Sequence, residues 1–235
     1  MNTISGGVCA PKGFRASGIF CGLKGRHSGI PQTVAPSSAN GKRDLAMILS
    51  DCECAAAAVY TLNRVKAAPL YVTMDHLEDG VCRGIVANSG NANACAPQSH
   101  ENAQRMCDLA ARATGLKAED FAVASTGVIG QTLNIAAIEQ GIAPLAAALS
   151  YDGSDAAAGA IMTTDTVKKE IAVTFTVGGR PCAIGAIAKG SGMIHPNMGT
   201  MLCFITTDCA ITHELLQEAL HQVVPRTFNR VTVDG

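Results

Sequence analysis

The sequence predicts a single layered domain of the α/β (α+β) class. Short apolar runs bounded by turn residues interleave with helical periodicities, in no strict βαβ alternation and with no internal repeat or low-complexity linker. The composition allows a sizeable core: 48% of the 235 residues are hydrophobic and 16% charged, against about 25% charged in ordinary globular chains. That balance excludes an intrinsically disordered chain. With three Tyr, six Phe and no Trp, the core has to be built from Ala, Val, Ile, Leu, Met and Cys, and 24 Gly let neighbouring elements approach closely.

In chain order, residues 45–50 read as a first strand, residues 52–62 as a further strand pair, and 84–88 as another strand. Ser99 is expected to cap a helix whose Ala103, Met106, Cys107, Ala110 and Ala111 recur at helical spacing, with Gly115 closing it. A second helix is expected from Asn134 through Ile135, Ile138 and Ile142, with Pro144 breaking or kinking it. Residues 171–177 and 181–188 flank Gly178-Gly179, the pattern of a hairpin with a two-residue turn. Thr212 is expected to cap a third helix with Leu215, Leu216, Ala219, Leu220 and Val223 on one side, ended by Pro225. The last run, 231–235, reads as a strand leading into a turn, an ending with the look of a truncation.

Charge excludes some functions. Eighteen basic and nineteen acidic residues give a formal net charge of −1, so no basic excess exists to neutralise phosphates and no nucleic-acid partner is expected. No apolar stretch reaches membrane-spanning length, so no membrane partner is expected either. The first 43 residues hold six Lys/Arg and no acid, as transit peptides do, but their apolar residues are scattered among Gly and Pro and form neither an h-region nor a helical face. Ten cysteines include a single C-x-C, Cys52 and Cys54, and no C-x-x-C; no zinc site is expected. The cysteines read as reduced thiols, several of them small buried hydrophobes, as in Met201-Leu202-Cys203-Phe204.

Three Gly/Thr-rich loops stand out: 124–130, 161–166 and 188–202. None matches a P-loop, a dinucleotide fingerprint or a nucleophile elbow. In the third, Gly199 immediately precedes Thr200 and an apolar strand. A strainable peptide followed by a hydroxyl suits self-cleavage by an N→O acyl shift. Cleavage would free the Thr200 α-amine, whose ordinary pKa of about 7.7–8.0 makes it a usable base for the adjacent hydroxyl. The plainer reading is a loop-to-strand junction. Thr126-Gly127 reads either as a turn or as a hydroxyl and backbone N–H paired as oxyanion donors. Lys189 reads either as a solvated lysine or as a cation for a substrate carboxylate.

The ordered set of motifs resembles the bifunctional ornithine acetyltransferase/N-acetylglutamate synthase family of arginine biosynthesis. It runs from Gly6-Gly7-Val8-Cys9-Ala10-Pro11-Lys12-Gly13-Phe14 through Asp44-Leu45-Ala46, Asn88-Ser89-Gly90-Asn91-Ala92-Asn93-Ala94 and Ser125-Thr126-Gly127-Val128-Ile129-Gly130. It continues with Met162-Thr163-Thr164-Asp165-Thr166, Lys189-Gly190-Ser191-Gly192-Met193 and Pro196-Asn197-Met198-Gly199-Thr200-Met201-Leu202, ending at Thr207-Asp208. With only the near-terminal Asn2-Thr3-Ile4 ahead of the first motif, no transit peptide is expected.

The resemblance implies an αββα sandwich of the N-terminal-nucleophile-like type, cut at Gly199-Thr200 into an α-chain segment (1–199) and a β-chain segment that begins at 200–235, assembled as a heterotetramer in the cytoplasm. Carried over, Thr200 is the nucleophile, Thr126 and Gly127 form the oxyanion hole, and Thr163, Lys189 and Thr200 contact substrate. Acetyl passes from N-acetyl-L-ornithine to L-glutamate through an acetyl-threonine, with acetyl-CoA as a further donor and no cofactor or metal. Two departures matter. Gly199 stands where the family usually has Ala, and the family's later portion, with a glutamate and C-terminal Asn and Ser/Thr substrate contacts, has no counterpart here, so the chain is expected to be a fragment. An amidase or aminopeptidase of similar fold, with water as acceptor, is the enzyme alternative. A structural subunit that never splits at Gly199-Thr200 is the other.

Overall fold

A computed structural model describes residues 1–24, 42–197 and 201–234. Among the described residues, eight strands form two sheets. In the first, β2 (Phe14–Ile19), β3 (Leu45–Ala55), β4 (Val81–Asn91) and β5 (Phe121–Val128) lie in that order, antiparallel except for the parallel pair β4–β5. In the second, the order is β1 (Asn2–Ile4), β6 (Lys169–Val177), β7 (Arg180–Lys189), β8 (Leu202–Thr207), all antiparallel.

Three helices, α1 (Ala68–His76), α2 (Ser99–Thr114) and α3 (Ile135–Ala147), pack on the outer face of the first sheet. Met106, Ala110, Ile138 and Leu145 meet Leu45, Met47, Val86 and Phe121 there. A second core lies between the sheets, where Ala46, Ile48, Ala87 and Ala124 face Ile187, and where α4 (Ser154–Ile161) is inserted. Residues 45–50 are buried on both faces, which is why they read as a continuous apolar run rather than an alternating one. The close packing of α4 depends on absent side chains: a Cβ at Gly18 would strike the Ala156 carbonyl.

Helix α5 (His213–Val223) completes the regular elements; Thr212 caps it by accepting the Leu215 N–H at 3.4 Å. Its apolar side, however, buries no residue. The outer face of the second sheet is also largely open among the described residues: Ile171, Ile184 and Ile205 are 56%, 36% and 46% exposed. No helix of the described residues is long and apolar enough to cross a membrane. The architecture is the αββα type of sandwich, with the helical layer filled on one side.

The hairpin occurs as expected: Gly178 and Gly179 both have positive φ (55° and 79°), as a primed turn requires. Gly115 ends α2 in the left-handed region. Four expectations are corrected. Residues 52–62 are not a strand pair: β3 runs on to Ala55 past a register shift, and the next residues satisfy their backbone through α5. His213 Nδ1 meets the Ala56 carbonyl oxygen at 2.5 Å, and the Gln217 amide both accepts from and donates to the Ala58 backbone, at 3.2 and 3.0 Å. Ser99 is the first helical residue rather than the cap; its hydroxyl donates to the Ala96 carbonyl, and Gln98 takes the cap position at φ 59°. Of the two outcomes expected at Pro144, the break does not occur, since α3 continues to Ala147 with Pro144 inside it; the carbonyl that the missing N–H would have served belongs to Gln140, an exposed residue. The cysteines also differ from expectation: only Cys107 is buried, and Cys203 stands on the half-open outer face of β8, opposite Ala188.

Candidate active site

The two sheets bring Thr126 and Lys189 together at one end of their seam. Strand β5 delivers Thr126 toward the inter-sheet core, where it is buried, and β7 delivers its last residue, Lys189, from the opposite sheet. Lys189 Nζ donates to Thr126 Oγ1 at 3.2 Å. Lys189 is 4% exposed, so it is not on a solvated face. Burial pushes its pKa below the ordinary lysine value; Asp165 opposes that shift and Lys169 adds to it.

Gly127 stands at φ 134°, where a Cβ would lie 2.6 Å from the Asn91 nitrogen and closer still to the Gly90 carbonyl carbon. Only glycine fits this crossing of β4 and β5. The N-S-G-N-A-N-A loop stitches it: Asn88 Oδ1 accepts from Ser125 Oγ at 2.6 Å, Asn88 Nδ2 donates to the Asn91 carbonyl at 2.9 Å, and Asn91 Oδ1 accepts the Asn93 N–H at 2.7 Å. The turn carrying Thr126 and Gly127 is therefore held by side chains whose own hydrogen bonds are largely satisfied.

Thr163 lies in the loop after α4, half-buried, and its N–H donates to Asp165 Oδ2 at 3.2 Å. Asp165 Oδ1 accepts from the Gly190 N–H at 2.8 Å and from Lys169 Nζ at 2.6 Å. Burial alone would raise the Asp165 pKa, but the Lys169 and backbone donors outweigh it and hold the carboxyl below its ordinary value of 3.8. Thr164 and Ser191 join the same two loops through their hydroxyls at 2.8 Å. Gly199 and Thr200 lie outside the described residues. The strand that resumes after them is paired so that Leu202 opposes Lys189. On the near side, the 191–197 segment is tied to the last residues of the chain: Ile194 bridges Val233, and the Met193 N–H donates to Asp234 Oδ2 at 2.8 Å.

Sequence reasoning assigned no role to Asp165, Asn88 or Asp44. Asp44 is fully buried and accepts the N–H groups of Cys21, Leu23 and Lys24 at 2.7, 2.7 and 2.9 Å. The Lys24 side chain is desolvated beside it, which lowers its pKa to about 8, with Asp44 opposing the shift. For Asp165 the available signal was a lone charge inside Met162-Thr163-Thr164-Asp165-Thr166.

The ArgJ family model matches residues 28–235. The chain belongs to the ArgJ family. It is 49% identical, over its whole length, to the arginine biosynthesis bifunctional protein ArgJ of Symbiobacterium thermophilum, and 47% identical over 99% of its length to ArgJ 1 of a Nostoc species. It spans 56% and 53% of those ArgJ proteins, so about half the length of the curated relatives it matches. Two solved structures are similar over 86% of this chain: ArgJ from Bacillus halodurans (36% identity, TM-score 0.72, 98% of that chain) and an ornithine acetyltransferase from Mycobacterium tuberculosis complexed with ornithine (34%, TM-score 0.71, 99% of that chain). An aminopeptidase of the Ntn hydrolase fold from Ochrobactrum anthropi, at 13% identity and TM-score 0.53 over 95% of this chain, shares the fold alone.

Proposed function

We propose that this chain is part of an acetyltransferase that moves acetyl from N-acetyl-L-ornithine to L-glutamate through an ester on Thr200. The observation that carries this reading is the meeting of Lys189 and Thr126 in the buried seam, beside a strand that starts two residues after Thr200 and opposes Lys189. The names of the relatives, arginine biosynthesis proteins and an ornithine acetyltransferase, support the reaction class.

In this reading the Thr200 hydroxyl attacks the acetyl carbonyl of N-acetylornithine while its proton passes to the Thr200 α-amine. The carbonyl oxygen becomes an oxyanion that accepts hydrogen bonds from Thr126 Oγ1–H and the Gly127 N–H. Thr126 suits this role because Lys189 already donates to its oxygen, which leaves the hydroxyl hydrogen to point elsewhere. Collapse breaks the C–N bond, and the ornithine amine leaves with the proton held by the α-amine. Glutamate then attacks the ester by the reverse sequence. Thr163 and Lys189 hold the amino-acid substrates, Lys189 by its charge. No cofactor is required, and acetyl-CoA serves as an alternative acetyl donor, in keeping with the word bifunctional in the relatives' names.

The proposal divides the chain into an α segment, 1–199, and the beginning of a β segment, 200–235, within one domain, with α and β chains forming a cytoplasmic heterotetramer. Chain lengths support the division. The M. tuberculosis chain is matched almost whole by 86% of this one, so it is the shorter, whereas the curated relatives are nearly twice as long. Intact mass spectrometry of the full-length protein tests it: a new N-terminus at Thr200 is expected, and Thr200→Ala is expected to stay whole. Cleavage of the alanine variant at the same bond would sink the assignment, and acetylornithine turnover independent of glutamate would favour a hydrolase.

A further inference from the structure

The Asp165 carboxylate is wholly shielded from solvent, at 0% side-chain exposure, although Asp is rarely buried without strong compensation. Its donors come from three places in the fold. Thr163 N–H belongs to the loop after α4, Gly190 N–H follows the end of β7, and Lys169 Nζ reaches back from the start of β6. The Lys169 ion pair helps hold the carboxyl in its charged form, but by itself it does not explain why two backbone N–H groups from different loops converge on the same carboxylate. The two backbone donors are more telling. One is the N–H of Thr163 itself and the other is the N–H of the residue joined to Lys189. Gly190 holds φ 148°, a conformation that residues with a side chain rarely adopt, and its N–H is the one fixed by Asp165.

We propose that Asp165 is a positioning residue, whose carboxylate locks the Thr163 loop and the Lys189–Gly190 turn into one substrate-binding geometry. This rests on the roles given to Thr163 and Lys189 above. Asp165 also sets the electrostatic surroundings of Lys189. The charges acting on that ammonium from the elements around it are Asp165, which favours the protonated form, Lys169, which disfavours it, and Lys24 from the segment after β2. Neutralising Asp165 leaves Lys189 facing burial and two cations without a counter-charge, so its proton is lost at lower pH.

The test is steady-state kinetics of the full-length enzyme against pH, with acetylornithine and glutamate as probes. Asp165→Asn keeps the shape and turns an amide N–H₂ toward at least one donor. It is expected to raise KM for both substrates about tenfold, the scale of one charge-assisted hydrogen bond, with kcat changed less than about threefold. The alkaline rise in KM should begin at lower pH than in the parent. Asp165→Glu, which keeps the charge but displaces it by a methylene, is expected to raise KM while leaving the pH at which KM climbs near the parental one; it also serves if the Asn variant does not fold. Lys189→Met separates the two ideas. If it raises KM while folded Asp165→Asn or Asp165→Glu keeps parental KM values, the positioning role is overturned and the substrate role of Lys189 stands. If Lys189→Met leaves KM unchanged, both fall.

Discussion

At the scale of the residue, Thr126 is where the two sheets exchange a hydrogen bond, and its hydroxyl has one job left after Lys189 has used its oxygen. Thr126→Val keeps the β-branched shape and removes the donor. In the processed full-length enzyme the turnover rate is expected to fall about 10²–10³-fold, with KM little changed, because the ground-state amide carries little charge for the hydroxyl to stabilise. Near-normal turnover of a folded Thr126→Val enzyme under chemistry-limited conditions would return the loop to an ordinary strand end. Thr126, Gly127 and Lys189 were legible in the sequence as hydroxyl, glycine and cation in a charge-poor chain. Their contact was not, since 63 positions separate Thr126 from Lys189 and nothing local reports which sheet each strand joins. Asp165, Asp44 and Asn88 escaped for a related reason. Each satisfies backbone or hydroxyl groups brought to it by the fold, and which groups need a partner depends on burial that only the folded chain defines.

At the scale of the element, periodicity identified the long amphipathic segments and missed a short helix built from small residues. Helix α2 and the β6–β7 hairpin announced themselves because one side of each differs from the other. Helix α4, Ser154-Asp155-Ala156-Ala157-Ala158-Gly159-Ala160-Ile161, spans about two turns of mostly small side chains, and only Asp155 marks its solvent side, too little contrast for a periodicity to register. The mistaken strand pair at 52–62 shows the converse: beyond Ala55 the run looks like a strand, but α5 side chains supply hydrogen bonds to its Ala56 and Ala58 backbone. The α4 contact can be tested by two glycines with opposite expectations. Gly18→Ala drives a methyl into the Ala156 carbonyl and is expected to cost about 1–3 kcal/mol, as overpacking does. Gly159→Ala, inside the helix with only Arg43 Nη1 near at 3.6 Å, is expected to stabilise by about 0.5–1 kcal/mol. Urea midpoints of the two variants decide the matter; equal shifts in the same direction would mean that α4 does not sit where described.

At the scale of the whole molecule, one sheet is clothed by helices and the other presents Ile171, Ile184 and Ile205 to solvent on its outer face. β8 is the last strand in that sheet's order among the described residues. Apolar surface beside an open strand edge favours association. This chain by itself is expected to self-associate, and a double change, Ile184→Lys with Ile205→Lys, is expected to reduce light scattering without altering the far-ultraviolet dichroism. Unchanged scattering would locate the sticky surface elsewhere, with the bare side of α5 next in line.

The β7–β8 ladder has one more consequence. It pairs Lys189 with Leu202 and continues through Ile184 and Thr207, so residues on both sides of Gly199-Thr200 are zipped together by six registered pairs that do not involve that bond. A backbone nick there would leave the native topology intact while changing the molecularity of folding. The intact precursor folds as one molecule; the nicked form, once melted, has to be rebuilt by the encounter of two, and its stability then depends on concentration. Cleavage at this place would make folding a single-use event, with the order of operations written into the chain: fold first, cut second.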